Sequence, residues 1–197
     1  MKRFFDFTIA LLGLIIMMPL FLILAIVIWI SMGRPIFFRQ IRVGRFGKEF
    51  RIIKFRTMVN DAGRNGLDIT SSDDPRLTPV GQFLRRYKFD EIPQLFNVLA
   101  GEMSLVGPRP EVPRYVALYS AYQRRVLDFR PGITDLATLT YRHEEKVLAK
   151  FEDRHRAYID EIMPDKLRLN LEYIEQRTFF SDLGVIARTF IDIFKSY

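Results

Sequence analysis

An adjacent pair of carboxylates, Asp90 and Glu91, is the feature of the sequence best suited to chemistry. Carboxylate oxygens bind Mg²⁺, and this ion usually takes substrate phosphate oxygens as its further ligands. The chain has no cysteine, and its 2 histidines, His143 and His155, are too few for a histidine-rich metal centre. Any metal site must therefore use oxygen ligands, which favours Mg²⁺ as the cofactor.

Basic side chains that could bind phosphate accompany this pair. Lys54 and Arg56 alternate with apolar residues, so a strand would place both on one face. Arg85 lies shortly before the carboxylates, and Arg109 stands between two prolines. A guanidinium matches the geometry of phosphate, and a loop stiffened by proline presents it with little entropy to lose. Together these residues predict a centre for chemistry on a phosphoanhydride.

Each of these features also has an ordinary structural explanation. An aspartate at a helix start is most often a cap that interacts favourably with the helix dipole. Arg85 could belong to a solvated or lipid-facing pair with Arg86, and Lys54 could simply flank a hairpin. The two histidines fit a charged surface helix, and the sequence has no P-loop or glycine-rich nucleotide motif. The chemical hypothesis therefore depends on the combination.

An uncharged apolar run, residues 7–33, precedes all of these residues. A membrane helix needs about 20 apolar residues, whereas the apolar region of a secretory signal peptide is shorter, about 7–15 residues. Basic residues are concentrated directly after the run, where cytoplasmic, lipid-facing charge is expected. We therefore predict a membrane helix at 1–33 and a cytoplasmic, membrane-associated catalytic domain at 34–197. The formal net charge is +7, but a nucleic-acid-binding module would not need the apolar anchor.

Pro19 lies near the middle of the apolar run and lacks the N–H that a continuous helix uses. Lys2 and Arg3 precede the run, so both of its flanks satisfy the positive-inside rule. A sharp kink at Pro19 would let the helix enter and leave through one leaflet. Proline is also tolerated in an ordinary kinked span. Charge and proline alone leave both paths open.

The remaining pattern predicts an α/β fold that is mostly helical. The expected elements are a small hairpin (36–39 and 50–56), a loop (60–79), a helix from Asp90 to Gly101, an irregular loop (107–110), an amphipathic helix (111–129), two helices flanking Pro164, and a last helix (183–194) capped by Ser181. Aromatic stripes on the amphipathic helices suit a membrane interface. Ordinary core packing explains the same stripes without lipid.

Four segments resemble the bacterial sugar transferase family, the monotopic phosphoglycosyl transferases. They read IIKFRTM (52–58), DEIPQLFNVL (90–99), MSLVGPRPE (103–111) and RPGIT (130–134). Their order and spacing match as well, and the resemblance covers nearly the whole chain. In that family a re-entrant N-terminal helix, broken at a proline, anchors a small cytoplasmic α/β domain. Interfacial helices carry the active site at the membrane surface.

The resemblance implies that Asp90 is the nucleophile and that Asp90 and Glu91 work with Mg²⁺. The candidates for binding substrate and phosphate are the basic residues of these segments and their surroundings, namely Lys54, Arg56, Arg85, Arg109 and Arg130. The helix break matches Pro19.

The sequence departs from the family pattern in two places. The family break is commonly Ser-Pro, whereas Met18 precedes Pro19 here, so a serine that would help to satisfy freed backbone groups is missing. Many members continue after Thr134 with a Gly-Trp-Ala-Gln-Val-like stretch, where this chain reads DLATL (135–139). The second departure leaves the donor sugar open. A long multi-span N-terminal extension is also missing, so we expect a minimal catalytic form.

We therefore expect transfer of a sugar 1-phosphate from a UDP-sugar to polyprenyl (undecaprenyl) phosphate, with release of UMP. The expected place is the cytoplasmic face of the bacterial inner membrane, at the first membrane step of a glycoconjugate or polysaccharide pathway. A covalent aspartyl-phosphosugar intermediate predicts ping-pong kinetics.

Three alternatives stay open. They are a membrane-anchored scaffold or regulator with a decayed site, an anchored nucleic-acid-binding protein, and a magnesium-dependent hydrolase of lipid diphosphates. The sequence does not identify the sugar, the carrier length or the pathway, and an oligomer is compatible with it.

Overall fold

The structure, a computed structural model, describes residues 2–59, 74–142, 144–148 and 151–195. The α-helices are α1 (Lys2–Met32), α2 (Pro79–Arg86), α3 (Gln94–Ala100), α4 (Pro113–Val116), α5 (Leu136–Thr140), α6 (Glu144–Leu148), α7 (Arg154–Ala157), α8 (Met163–Gln176) and α9 (Phe179–Lys195). The strands are β1 (Phe37–Val43), β2 (Glu49–Phe55), β3 (Ser104–Val106) and β4 (Gly132–Thr134). The described part is thus mostly helical with two small sheets, in agreement with the predicted α/β class.

Helix α1 contains the whole apolar run and is long and apolar enough to cross a membrane. Only 22% of its most apolar window is buried against the rest of the protein. The buried residues recur at helical spacing along its length, at Asp6, Ala10, Leu14, Phe21, Leu24 and Ile28. One stripe of α1 therefore packs on the rest of the chain, while its exposed apolar faces suit lipid.

The helix continues through Pro19, so the break predicted at this residue is not observed. A proline removes one backbone hydrogen bond, and a membrane helix can tolerate that loss without ending. The re-entrant path of α1 stays a prediction.

Both ends of α1 form polar contacts with the rest of the protein. Near its N-terminus, Arg3 donates to the last-turn carbonyls of α3 at 2.5 and 2.8 Å. At its C-terminus, Arg56 donates to the carbonyl oxygens of Met32 and Gly33 at 2.5 and 2.8 Å. Both arginines satisfy carbonyl groups that a helix end leaves without an intrahelical partner.

Strands β1 and β2 form the predicted hairpin, with Phe37 paired to Phe55 and Val43 to Glu49. The 3₁₀ turn that joins the strands contains Phe46, which has a φ of 59°. The first strand extends farther than the sequence pattern indicated.

Helix α2 was missed by the sequence analysis, which ended its loop at residue 79. Thr78 accepts a hydrogen bond from the Gly81 amide at 3.0 Å, and Pro79 occupies the first turn. These are typical signals of a helix start. Residues 74–78 lie outside the helix as predicted, and 60–73 fall outside the described residues.

Strands β3 and β4 pair in parallel, with Ser104 opposite Gly132. A Cβ atom on Gly132 would lie 2.1 Å from the Gly107 backbone nitrogen. The backbones therefore approach so closely that only glycine fits at this position. This contact holds together the two segments 103–111 and 130–134.

The single helix predicted over 111–129 is wrong. The segment contains the short helix α4 and a 3₁₀ helix, Gln123–Asp128, with turns between them. Ser120 and Gln123 exchange backbone and side-chain hydrogen bonds at 2.8 and 3.2 Å, so a new helical segment starts there. Tyr115 and Tyr119 are buried, whereas Tyr122 is exposed.

Two predicted helix boundaries near the C-terminus also change. Pro164 does not separate two helices, because α7, a π-helical turn (Tyr158–Ile162) and α8 follow one another and the proline lies in the first turn of α8. The last helix begins at Phe179. Thr178 caps it by accepting from the Ser181 amide at 3.1 Å, so Ser181 is not the cap.

Candidate active site

Asp90 and Glu91 lie in a 3₁₀ turn, Phe89–Glu91, between α2 and α3. Both carboxylates are buried, with exposed fractions of 6% and 9%. The neighbouring Ile92 anchors the turn in a core cluster with Phe55 and Leu84. The helix predicted to begin at Asp90 begins later, at Gln94, as α3, because residues 89–91 form the separate 3₁₀ turn. Gly101 ends α3 as predicted, with a φ of 86°.

Glu91 is the centre of an ion-pair cluster. Its Oε1 accepts from Lys54 Nζ at 2.7 Å and from the Arg109 guanidinium at 2.5 Å. Burial alone would raise the pKa of Glu91, but the charges of Arg109 and Lys54 outweigh it and hold that pKa well below its usual range. Burial lowers the pKa of Lys54, although Glu91 opposes the change. Glu91 is therefore an ionised group that fixes two cations in the site.

Asp90 differs from its neighbour because its Oδ1 is buried and has no hydrogen-bond partner among the described residues. Burial raises the pKa of Asp90, and the charge of Lys54 opposes this rise without cancelling it. The oxygen therefore keeps its lone pairs available. Such an oxygen can attack an electrophile or bind a cation.

Arg109 reaches Glu91 from the irregular loop that follows β3. The loop is held at two points: the Arg109 amide donates to Asp135 Oδ2 at 2.7 Å, and Arg42 donates to the Pro110 carbonyl at 3.1 Å. Glu91 raises the pKa of Arg109 further. The guanidinium is thus a permanent cation on a fixed backbone.

The other predicted basic residues contact different parts of the protein. Arg56 contacts the end of α1, and Arg130 donates to the Gly101 carbonyl at 3.0 Å. Arg85 donates to the Thr57 hydroxyl at 3.0 Å, and its charge also opposes the raised pKa of Asp90. The structure therefore brings Lys54 and Arg109 into contact with Glu91, whereas it engages Arg56 and Arg130 with backbone carbonyls.

A cavity of about 340 Å³ adjoins Arg109. Its lining combines cations and carboxylates with aromatic and hydroxyl groups. The cations are Arg42, Arg86, Lys88, Arg109, Arg142 and Lys166, and they outnumber the carboxylates Glu111, Glu144 and Asp192. The volume is within the range of small-molecule sites, about 300–1,000 Å³. Sequence reasoning missed most of these residues, because they come from segments that are distant along the chain. The cavity suits an anionic ligand.

The residues present fit a magnesium ion whose coordination would be completed by substrate. Within the described ranges, no group of three or more His, Cys, Asp or Glu side chains could hold a metal. Magnesium needs only one or two protein carboxylates when phosphate oxygens and water supply the other ligands. The unpartnered oxygen of Asp90 is a donor of this kind, whereas Glu91 Oε1 is already bound by two cations.

Comparison with known families matches residues 1–196 to the model of the bacterial sugar transferases. This chain belongs to the bacterial sugar transferase family. The family predicted from the four sequence segments is therefore confirmed, and with it the prediction of a sugar transferase enzyme. The family and the apolar helix α1 together support membrane association.

Several curated relatives resemble this sugar transferase. An uncharacterized sugar transferase of Bacillus subtilis, EpsL, is 36% identical over 189 residues, which cover 96% of this chain and 85% of EpsL. The UDP-glucose:undecaprenyl-phosphate glucose-1-phosphate transferase of Escherichia coli is 34% identical, over 100% of this chain and 40% of that enzyme. The undecaprenyl-phosphate glucose phosphotransferase of Komagataeibacter xylinus is 38% identical, over 95% of this chain and 35% of that enzyme. The chain thus spans two fifths or less of the latter two relatives.

Proposed function

We propose that this transferase moves a sugar 1-phosphate from a UDP-sugar to undecaprenyl phosphate and releases UMP. The printed activities of the E. coli and K. xylinus relatives support this reaction. The structural observation that carries this proposal is the contrast between Asp90 and Glu91, which we call the dyad. Asp90 has a buried oxygen without a partner, beside a Glu91 that is ionised and fixed by Lys54 and Arg109.

In the proposed first step, an Asp90 carboxylate oxygen attacks the phosphorus atom that bears the sugar. The phosphoanhydride bond breaks, UMP leaves, and an aspartyl sugar phosphate remains. In the second step, a phosphate oxygen of the lipid attacks the same phosphorus, and the bond to Asp90 breaks. Splitting the transfer in this way means that two bulky substrates need not bind at once. The raised pKa of Asp90 favours the attack, because a more basic carboxylate is a better nucleophile once ionised.

The surrounding cations have different proposed roles. Arg109 lies on the cavity and binds a donor phosphate through its guanidinium fork. Lys54 keeps Glu91 in place and lowers the cost of ionising Asp90. The carbonyl contacts of Arg56 and Arg130 support a positioning role for these two residues, in place of the phosphate contact predicted from the sequence.

We also propose that Asp90 and Glu91, with substrate phosphate oxygens, hold Mg²⁺. A bound magnesium ion would neutralise charge on the diphosphate and on the departing UMP. The available oxygen of Asp90 supports this assignment.

We also propose that α1 follows a re-entrant path, with the catalytic domain on the cytoplasmic face of the inner membrane. The contacts at both ends of α1 support a path that keeps both ends on one side, and the basic residues that flank the apolar run support the cytoplasmic side. A straight helix of 31 residues would extend about 46 Å at 1.5 Å per residue, which exceeds the hydrocarbon thickness of about 30 Å. A straight crossing would therefore place its ends on opposite sides. Arg3 and Met32 nevertheless both contact the same domain.

The test is UMP release by purified protein given polyprenyl phosphate and a panel of UDP-sugars. We expect multiple turnovers that need the lipid and one or a few of the sugars, and none with Asp90→Asn. Release of phosphate from a lipid diphosphate, without any use of UDP-sugar, would instead support the hydrolase alternative. Strong, salt-dependent binding to nucleic acid without UMP release would support the nucleic-acid alternative.

A further inference from the structure

Lys88 has an unusual backbone conformation for its residue type. It is the second residue after α2, following the C-cap Tyr87, and lies in the left-handed region, with φ of 57° and ψ of 18°. Residues at this position after a helix are usually glycine and sometimes asparagine, because a Cβ atom is disfavoured when φ is positive. This chain therefore has a lysine at a position where glycine would be less strained.

The conformation of Lys88 directs the chain from α2 into the 3₁₀ turn Phe89–Glu91, the dyad turn. Its amide donates to the Arg85 carbonyl at 3.2 Å, and its own carbonyl accepts from the Glu91 amide at 3.2 Å. Glycine could form both of these backbone contacts. The backbone role therefore explains the left-handed geometry but leaves the choice of lysine unexplained.

The side chain of Lys88 supplies the missing reason. It lines the cavity together with Arg86 and Arg109. Lys88 also stands two residues before Asp90, at the start of the turn that carries both carboxylates.

The ammonium group of Lys88 is also available to a ligand. Lys54 and Arg109 both contact Glu91, whereas the side chain of Lys88 has no hydrogen bond or ion pair within the part of the chain that the structure describes. An ammonium group has three donors and suits phosphate as a point charge. Strain at a single residue is often kept where it serves function.

We propose that Lys88 is a phosphate-binding residue, whose ammonium contacts the diphosphate of the donor in the cavity beside Arg109. This role rests on the proposed function, because it assigns a contact to the same substrate. It adds a residue that neither the sequence motifs nor the ion pairs of the dyad identified.

The experiment compares Lys88→Gly and Lys88→Arg with the wild type. Lys88→Gly removes the charge and relieves the strain, so we expect an unchanged or higher Tm. The loss of one charge-assisted contact should lower kcat/KM for the UDP-sugar about 10- to 100-fold, mainly through KM. Lys88→Arg should retain most of the activity. The matched control is Phe46→Gly, at the exposed hairpin turn with a similar φ of 59°, which should leave kcat/KM unchanged.

A stable Lys88→Gly variant with wild-type kcat/KM would overturn the proposal. A clearly lowered Tm for Lys88→Gly, together with a loss of activity in Lys88→Arg as well, would also overturn it, because the residue would then be structural. Calorimetry with UDP as the probe separates this proposal from the proposed function. If the wild type binds UDP much more tightly than Lys88→Gly but releases no UMP from any UDP-sugar, the Lys88 contact stands and the transfer reaction fails.

Discussion

Replacing Asp90 with asparagine should abolish activity and yet stabilise the fold. The wild-type carboxylate is buried, and its Oδ1 has no hydrogen-bond partner among the residues described. Leaving a buried polar group unsatisfied costs about 1–3 kcal/mol, and more when the group is charged. An asparagine at this position would also lack a partner, but it is neutral. The substitution therefore removes only the part of the burial cost that is due to the charge.

The expected gain is small because the charge of Lys54 already stabilises the wild-type carboxylate. We expect about 1 kcal/mol in the free energy of unfolding. For a chain of 197 residues, this corresponds to a rise in Tm of about 2–4 °C.

The size of this stabilisation depends on pH. The pKa of Asp90 in the folded state is raised above its usual 3.8. The wild type therefore loses stability from this group as pH rises from the unfolded value through the folded one. Asparagine does not titrate, so the advantage of Asp90→Asn should grow as pH rises through this window.

The assay is thermal unfolding of detergent-solubilised protein in excess chelator, so that no divalent cation neutralises Asp90. Asp74→Asn is the matched control, because Asp74 is equally buried but bonded to Arg76, whose hydrogen bonds lower its pKa. That control should lower the Tm at neutral pH. If Asp90→Asn lowers the Tm as Asp74→Asn does, or if its advantage shrinks as pH rises, the reasoning about the unpartnered carboxylate is wrong.

Three further predictions concern the guanidinium, the metal and the membrane path. Arg109→Lys keeps the charge but loses the fork, so kcat/KM should fall strongly. The Tm should change little because Lys54 still pairs with Glu91; normal turnover would show that the loop is structural only. Chelation should abolish UMP release and Mg²⁺ should restore it, whereas full turnover in excess chelator would contradict the metal role. The chain has no cysteine, so a single cysteine introduced as Lys2→Cys or Lys48→Cys would be the only thiol available to a labelling reagent applied to cells. Both should resist an impermeant reagent until the inner membrane is opened, and labelling of position 2 alone from outside would refute the re-entrant path.

The parts of the fold with strong local signals were predictable from the sequence. The alternation around Lys54 gave the hairpin, and glycine and proline marked the end of α3 and the loop that carries Arg109. The proximity of Arg109 and Lys54 to Glu91 agrees with the sequence interpretation, although no local pattern specifies those distances.

The failures have physical reasons as well. Alternation placed Arg56 beside Lys54, but β2 ends at Phe55, and Arg56 instead satisfies carbonyls at the end of α1. Such a contact joins distant segments and leaves no periodic signal. The aromatic stripe over 111–129 looked helical, whereas α4 ends at Val116 and the Ser120–Gln123 pair starts a separate helical segment.

Lys88 is a different case, because its positive φ results from how α2 joins the dyad turn. The signal for such a conformation is normally glycine or asparagine. A lysine in the sequence does not predict a positive φ, so only the structure could identify the residue as strained.

In the proposed reaction, Asp90 becomes covalently attached to the sugar phosphate. The most direct test of this step is to mix enzyme with the reactive UDP-sugar in the absence of lipid, quench rapidly, and measure both UMP and the mass of the peptide that contains Asp90. We predict about one UMP per active site, with a sugar phosphate on that peptide in the wild type and none in Asp90→Asn. Intersecting-line ternary-complex kinetics, together with an unmodified peptide at every quench time, would contradict the claim.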